Sequence, residues 1–185
     1  ILPDELEDLF RAANSFILAD DEYDRATGYS FIDYLLKTLP PLGTRSTDDR
    51  VQVVITQFDA AKSPAERQLA VKILGHWASR AFTMYLASVA MDDKNWRVRT
   101  EALKGLEMCM RRSKNCRLEA EAIRAMHATI PNDRSRSAFY RYAGHLNAKD
   151  IIGWCSSEIE KGDHNIACRY AFSVMNDPGA YRALH

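Results

Sequence analysis

Residues Tyr85–Leu106 read YLASVAMDDKNWRVRTEALKGL, and this stretch decides the fold. After the polar turn Asp92-Asp93-Lys94-Asn95, the residues Val98, Ala102, Leu106 and Cys109 recur at intervals of four, four and three. That spacing places them on one face of a helix. Arg97, Glu101, Lys104, Glu107 and Arg111 fall on the opposite face, and Arg97–Glu101 and Glu107–Arg111 are opposite charges four residues apart. Before the turn, Leu86, Val89 and Ala90 form the apolar end of another helix. The unit is helix, tight turn, helix.

Outward from this unit the same grammar continues. Toward the N-terminus, Ser63-Pro64-Ala65-Glu66 is a helix start, with a capping box and Pro at the first helical position. The helix it opens is expected to run to about Ser79, carrying Leu69, Ala70, Ile73, Leu74 and Trp77. Ala70, Ala102, Ala138 and Ala171 are separated by 32, 36 and 33 residues, and each is followed four positions later by a large residue: Leu74, Leu106, Tyr142 and Met175. A small residue lets stacked helices approach, and a large one fills the next gap; the period falls in the range of helical-pair repeats. Intervening helices are expected at Ala81–Met91, Leu118–Thr129 and Asp150–Lys161, with a short one after Pro178.

The first 62 residues read as a less regular cap. A helix is expected from Pro3 to about Ala19, with Leu6, Leu9, Phe10, Ala13, Phe16 and Ile17 buried. A charged link, Asp20–Arg25, leads to a helix bearing Tyr29, Ile32, Leu35, Leu36 and Leu39, which Pro40-Pro41 must end. After an irregular linker, Leu42–Asp48, a third helix places Val51, Val54, Ile55 and Phe58 inward.

The central stretch resembles the HEAT repeat. In that family an Asp in the inter-helix turn lies six positions before an Arg, which a Val immediately precedes. Asp93, Val98 and Arg99 have that spacing, and Ala102 and Leu106 follow as the pattern expects. The resemblance implies an all-α, right-handed solenoid of antiparallel helix pairs, with residues 1–62 as cap and 63–185 as repeats. It also implies that Asp93 and Arg99 pair with equivalent polar groups along the stack, as a structural ladder. A narrower resemblance joins Asp93–Val98 to the "D-x-N-W-x-V" turn of the HEAT-like DNA alkylation-repair glycosylases. That family holds damaged DNA on a basic face with Trp side chains and an Asp. No second motif here carries its catalytic Asp, so no catalytic residue is assigned.

Composition sets the remaining bounds. Apolar residues make up 46% and charged residues 27%, and there are only 8 Gly and 6 Pro, few for an all-β chain. No apolar run approaches the length of a membrane span, and no signal peptide is visible, so a cytoplasmic protein without membrane association is expected. The chain opens on Ile1, as in a processed or trimmed product. Cys109, Cys116, Cys155 and Cys168 match no common zinc spacing and read as reduced thiols. His164 and Cys168, four apart, with Cys155 one helix earlier, are better read as core groups than as metal ligands. Trp77, Trp96 and Trp154 read first as packing. No GxSxG, P-loop, GxGxxG or HExxH pattern is present, and no cofactor is expected.

Net charge is zero, but unevenly distributed. Residues 1–24 carry eight acids against Arg11, and residues 94–117 carry eight bases against Glu101 and Glu107. The candidate partner-binding residues are therefore Lys94, Trp96, Arg97, Arg111, Arg112, Lys114 and Arg117. The expected function is a non-enzymatic interaction scaffold whose protein partner docks an acidic segment on this basic middle. Nucleic-acid binding, including recognition or excision of alkylated bases, is the alternative.

Overall fold

A computed structural model of the chain describes residues 3–38, 49–61, 63–77, 80–112, 117–146, 149–175, 177, 179–180 and 182. The protein is all-α, and among the described residues there are ten helices and no strand. They are α1 (Pro3–Ile17), α2 (Glu22–Thr38), α3 (Asp49–Ala60), α4 (Pro64–Trp77), α5 (Arg80–Asp92), α6 (Trp96–Arg112), α7 (Ala120–Thr129), α8 (Arg134–His145), α9 (Lys149–Lys161) and α10 (Asn165–Val174). Among them none is long and apolar enough to cross a membrane. The linker 42–48, Pro40, Pro41, Cys116 and Pro178 lie outside the described residues.

Helix order follows from which faces are apolar. In α6, Val98, Ala102, Leu106 and Cys109 are all fully buried, while Arg97, Lys104 and Arg111 are exposed. The even-numbered helices pack on one another in chain order, α2 on α4, α4 on α6, α6 on α8 and α8 on α10. Each is packed against the odd-numbered helix that precedes it. The α6–α8 contact is parallel: Arg99 near the start of α6 reaches Ser135 at the start of α8, and Arg111 near its end reaches His145 at the end of α8. One apolar core extends from Phe10 of α1 to Ala180.

Close approach is governed by glycine as much as by alanine. A Cβ on Gly75 of α4 would fall 2.4 Å from the Gly105 Cα of α6, and one on Gly144 of α8 would fall 2.6 Å from the Ala171 Cα of α10. Of the alanine series, Ala70, Ala102 and Ala171 are fully buried but Ala138 is only half-buried; the large residues Leu74, Leu106, Tyr142 and Met175 are all buried. Among these alanines, only Ala171 stands at one of the two close approaches.

Two expectations in the cap are corrected. Phe16, expected inside, is 43% exposed. It sits two turns from the half-buried Leu9, on the flank of the stripe, whereas Phe10, Ala13 and Ile17 form its centre and meet α2. The expected link Asp20–Arg25 is already helix from Glu22, because the Asp21 carboxylate accepts from the backbone N–H groups of Tyr23 (2.8 Å) and Asp24 (3.2 Å).

Candidate functional site

The turn between α5 and α6 is held by Asp93 and Arg99. Asp93 Oδ1 accepts from the Asn95 N–H at 2.7 Å, and its two oxygens accept from Arg67 Nε and Nη2 at 2.9 and 3.3 Å. Arg99, 5% exposed, donates Nη1 to the backbone carbonyl of Asp93 (2.6 Å), Nε to Ser135 Oγ (3.2 Å) and Nη2 to Asp133. Asp133 also caps α8 by accepting from Ser135 N–H at 2.8 Å. Partial burial would raise the Asp133 carboxyl, but the Ser135 bonds and Arg99 outweigh it and hold it below the ordinary value.

The same device occurs twice more toward the N-terminus. Arg67 donates Nη1 to the carbonyl of Ala61 (3.2 Å) while its fork holds Asp93 of the next turn. Arg25 donates Nη1 to the carbonyls of Ala19 (3.0 Å) and Asp20 (2.5 Å), and Nε to Glu66 of α4 at 2.6 Å. In all three cases the bonded carbonyl includes that of the residue six before the arginine. Carbonyls at a helix end lack intrahelical partners. A guanidinium can satisfy one of them and bind a carboxylate at the same time, which a lysine ammonium cannot match in geometry.

Reading the sequence from Asp93 alone misses Arg25 and Arg67. The signal is a longer phrase: Arg, a small residue three later, then an apolar residue at four and again at seven. It reads Arg25-Gly28-Tyr29-Ile32, Arg67-Ala70-Val71-Leu74 and Arg99-Ala102-Leu103-Leu106. The series stops at α8, where the position six after Asp133 is the buried Phe139. There His164 makes the junction instead, with Nδ1 2.8 Å from Ser137 Oγ and Nε2 2.5 Å from Asn132 Oδ1.

The basic run 94–117 is not one cluster. Arg97 and Arg111 lie at opposite ends of α6, 14 residues or ~21 Å apart. Lys94 is exposed in the turn. Trp96 is half-buried, with the Arg97 guanidinium 5.5 Å and the Arg134 guanidinium 5.0 Å from its ring. Arg111 bonds Glu107 (2.7 Å) and Tyr170 Oη (3.2 Å), and lies 3.3 Å from His145 Nε2. Arg117 donates to the carbonyl of Leu146 at 2.7 Å, so it secures the end of α8. Lys114 and the side chain of Arg112 lie outside the described residues. In their place the fold brings up Arg134 and Arg141 of α8; the Arg141 guanidinium sits 4.7 Å from the Tyr170 ring.

Two other polar groupings are enclosed. Asp33 of α2, 8% exposed, is met by Lys37 (2.7 Å), Lys72 (2.9 Å) and His76 Nδ1 (2.8 Å). Burial pushes its carboxyl up, yet the lysine bonds prevail and hold it low, while Lys72 is correspondingly raised by its bond to Asp33. An open cleft of about 410 Å³ beside Lys72 is lined by Ala65, Gln68, Leu69 and Glu101; its charged groups are already bonded, Lys72 to Asp33 and Glu101 to Lys104. On the far side His127 stacks on Trp154 at 3.9 Å and 5°, and burial, helped by Arg136, lowers its pKa. Cys155 and Cys168 are buried and hydrogen-bonded to each other, which together with burial drives the Cys155 thiol far above its ordinary value. The stacked Trp154 and the paired thiols are packing groups.

No protein-family model matches the chain, and neither does any curated protein. The chemistry therefore rests on the geometry alone: helices α2, α4, α6 and α8 linked near their N-termini by arginine–carboxylate bonds.

Proposed function

We propose that the chain is a non-enzymatic interaction scaffold, a right-handed solenoid of HEAT-like helix pairs, whose partner is a protein bearing an acidic segment. The observation that carries this reading is the recurrent arginine relay, Arg25 to Glu66, Arg67 to Asp93 and Arg99 to Asp133. It commits three arginines and their carboxylates to joining helix pairs, and leaves the outward charges of α6 and α8 for a partner. Asp93 and Arg99 are on this reading structural, and Lys94, Trp96, Arg97 and Arg111 belong to the binding face. Side chains presented along stacked helices suit protein contacts and need no reactive centre.

The test is a titration of the chain with a labelled acidic peptide and with a labelled DNA duplex, each at low and moderate salt. Peptide binding that weakens with salt is expected. Duplex binding with no peptide binding would overturn the reading.

A second reading, nucleic-acid binding extending to alkylated DNA, is supported by the two guanidinium groups, of Arg97 and Arg134, within 5.5 Å of the Trp96 ring. Its mark would be an affinity for duplex falling linearly in log–log fashion with salt.

A further inference from the structure

Polar side chains from α6, α8 and α10 meet in one cluster: Glu107, Arg111, Arg141, His145 and Tyr170. Glu107 Oε1 lies 2.7 Å from Arg111 Nη2 and 3.0 Å from His145 Nε2. Arg111 Nη2 also donates to Tyr170 Oη at 3.2 Å, and the Arg141 guanidinium sits 4.7 Å from the centre of the Tyr170 ring. Two guanidinium groups thus meet on one phenol, one at its oxygen and one at its ring. Arg117 donates to the Leu146 carbonyl, next to His145, at 2.7 Å and so brings a third cation to the end of α8.

Hydrogen bonds within the cluster leave donors over. The Glu107 carboxylate accepts from both Arg111 and His145, so His145 carries a proton on Nε2 and turns it to that carboxylate. The same nitrogen, 3.1 Å from Tyr170 Oη, is then no acceptor for the phenol. The Tyr170 oxygen takes its bond from Arg111, and its own O–H proton has no acceptor within the cluster. Arg111 reaches Glu107, His145 and Tyr170 through Nη2, and its side chain is 57% exposed, so Nε and Nη1 are left to solvent. Arg141 is exposed and, among the described residues, has no carboxylate partner. Two guanidinium edges and a phenol hydrogen are therefore unspent, while the carboxylate of the cluster is already held by two donors.

We propose that Arg111, Arg141 and Tyr170 form a site for a phosphate monoester, borne by a phosphorylated side chain of the partner protein. A carboxylate has two oxygens, and one guanidinium edge satisfies both. A phosphorylated side chain has three terminal oxygens and about two negative charges, enough for both arginines and the phenol. A phosphodiester of a nucleic acid has one charge and two free oxygens, and leaves part of this donor set unused. Arg111 is already fixed by Glu107 and Arg141 rests on the Tyr170 ring, so less ordering is needed on binding. The proposal rests on the interaction-scaffold reading and gives its acidic segment a specific anchor.

The test uses a labelled acidic peptide in three forms, with phosphoserine, serine or glutamate at its centre. Binding is read by fluorescence anisotropy at low salt, with free phosphoserine as competitor. The phosphoserine form is expected to bind at least roughly tenfold tighter than either of the others, as one or two charge-assisted bonds would give. Arg141→Gln is expected to abolish most of that preference while leaving the circular-dichroism spectrum unchanged. Tyr170→Phe keeps the ring under Arg141 and should weaken the phosphoserine form alone, by roughly threefold or more. Failure to prefer the phosphoserine form, or a preference that survives both variants, would overturn the site and leave the scaffold reading standing. Free phosphoserine competing as well as the phosphorylated peptide would overturn the assignment to a partner's side chain. Binding of no peptide form would overturn the site and the scaffold reading together.

Discussion

The Arg99 guanidinium bonds Asp133 of the following helix pair while its Nη1 donates, at 2.6 Å, to the carbonyl of Asp93 in its own turn. One side chain therefore closes a turn and joins two repeats. Arg99→Ala would strip a charge-assisted partner from Asp133, leave the Asp93 carbonyl without this donor and remove a packed stem. The expected cost is about 2–3 kcal/mol, which for a chain of this size lowers the melting temperature by roughly 2–4 °C per kcal/mol. Arg99→Lys should recover less than half of it, because a single ammonium cannot span carbonyl, hydroxyl and carboxylate. Thermal denaturation of the two variants checks this; an unchanged midpoint for Arg99→Ala would contradict the structural role.

Glycines here divide into two kinds with opposite predicted behaviour. At Gly75 a methyl group would meet the Gly105 backbone at 2.4 Å, so α4 and α6 must separate. Gly75→Ala is expected to destabilise by about 1–3 kcal/mol, as overpacking does. Gly153, exposed in the middle of α9, has nothing within 4 Å of the added methyl. Gly153→Ala should stabilise by about 0.5–1 kcal/mol, since alanine loses less freedom on entering a helix. Urea midpoints of the two variants should move in opposite directions.

What could be read beforehand was local. The stripe Val98-Ala102-Leu106-Cys109 and the turn before it were legible because periodicity and capping operate within one or two turns. Arg25 and Arg67 were hidden because Ala19 and Ala61 stand where their turns would carry the Asp93 signal, and Arg25 finds its carboxylate on Glu66, 41 residues away. The basic run divides in space for a related reason. Contiguity in sequence spreads Lys94 to Arg117 along a whole helix and beyond it, turning Arg99 inward and sending Arg117 to Leu146. Arg134, 37 positions beyond Arg97, comes beside Trp96 only when α8 lies parallel to α6.

The thiols offer a direct probe of packing. Cys109, Cys155 and Cys168 are buried, and Cys155 is further held in its neutral form by its bond to Cys168. Thiolate is the reactive species, so these three should resist a thiol reagent at pH 8 in native protein and react within minutes in denaturant. Rapid labelling of Cys155 in the folded chain would mean that α9 and α10 open readily. Cys155→Ser should slow no other thiol, but would place a hydroxyl in this apolar site and is expected to destabilise by about 1–3 kcal/mol.

Stability should fall with acid in two stages, for reasons that can be assigned. His127, stacked on Trp154, has its pKa lowered from 6.5 by burial and then by Arg136. Above pH 6.5 it is neutral in both folded and unfolded chains and contributes no slope. Below that the unfolded chain takes up the proton first, so stability declines until the lower native pKa is passed. Asp33 and Asp133 behave likewise in a lower window: both are held below 3.8 despite burial, by Lys37 and Lys72 at Asp33, and by Ser135 and Arg99 at Asp133. Their contribution is whole above pH 3.8 and is lost as pH falls through the native values. Lys72 acts in the opposite sense, since its raised pKa sustains stability below 10.5 and loses it as pH climbs through the native value. A melting-temperature profile should therefore be flattest between about pH 6.5 and 9, above which the Cys155 thiol ionises in the unfolded chain but is held neutral in the folded one. His127→Gln should remove the slope just below pH 6.5 and leave the deeper acid limb. Asp33→Asn should lower the melting temperature at neutral pH, because Lys37 and Lys72 lose their shared anion, and should make the limb below pH 3.8 shallower. A wild-type profile flat down to pH 4 would show that His127 titrates without regard to folding, and would undo its placement against Trp154.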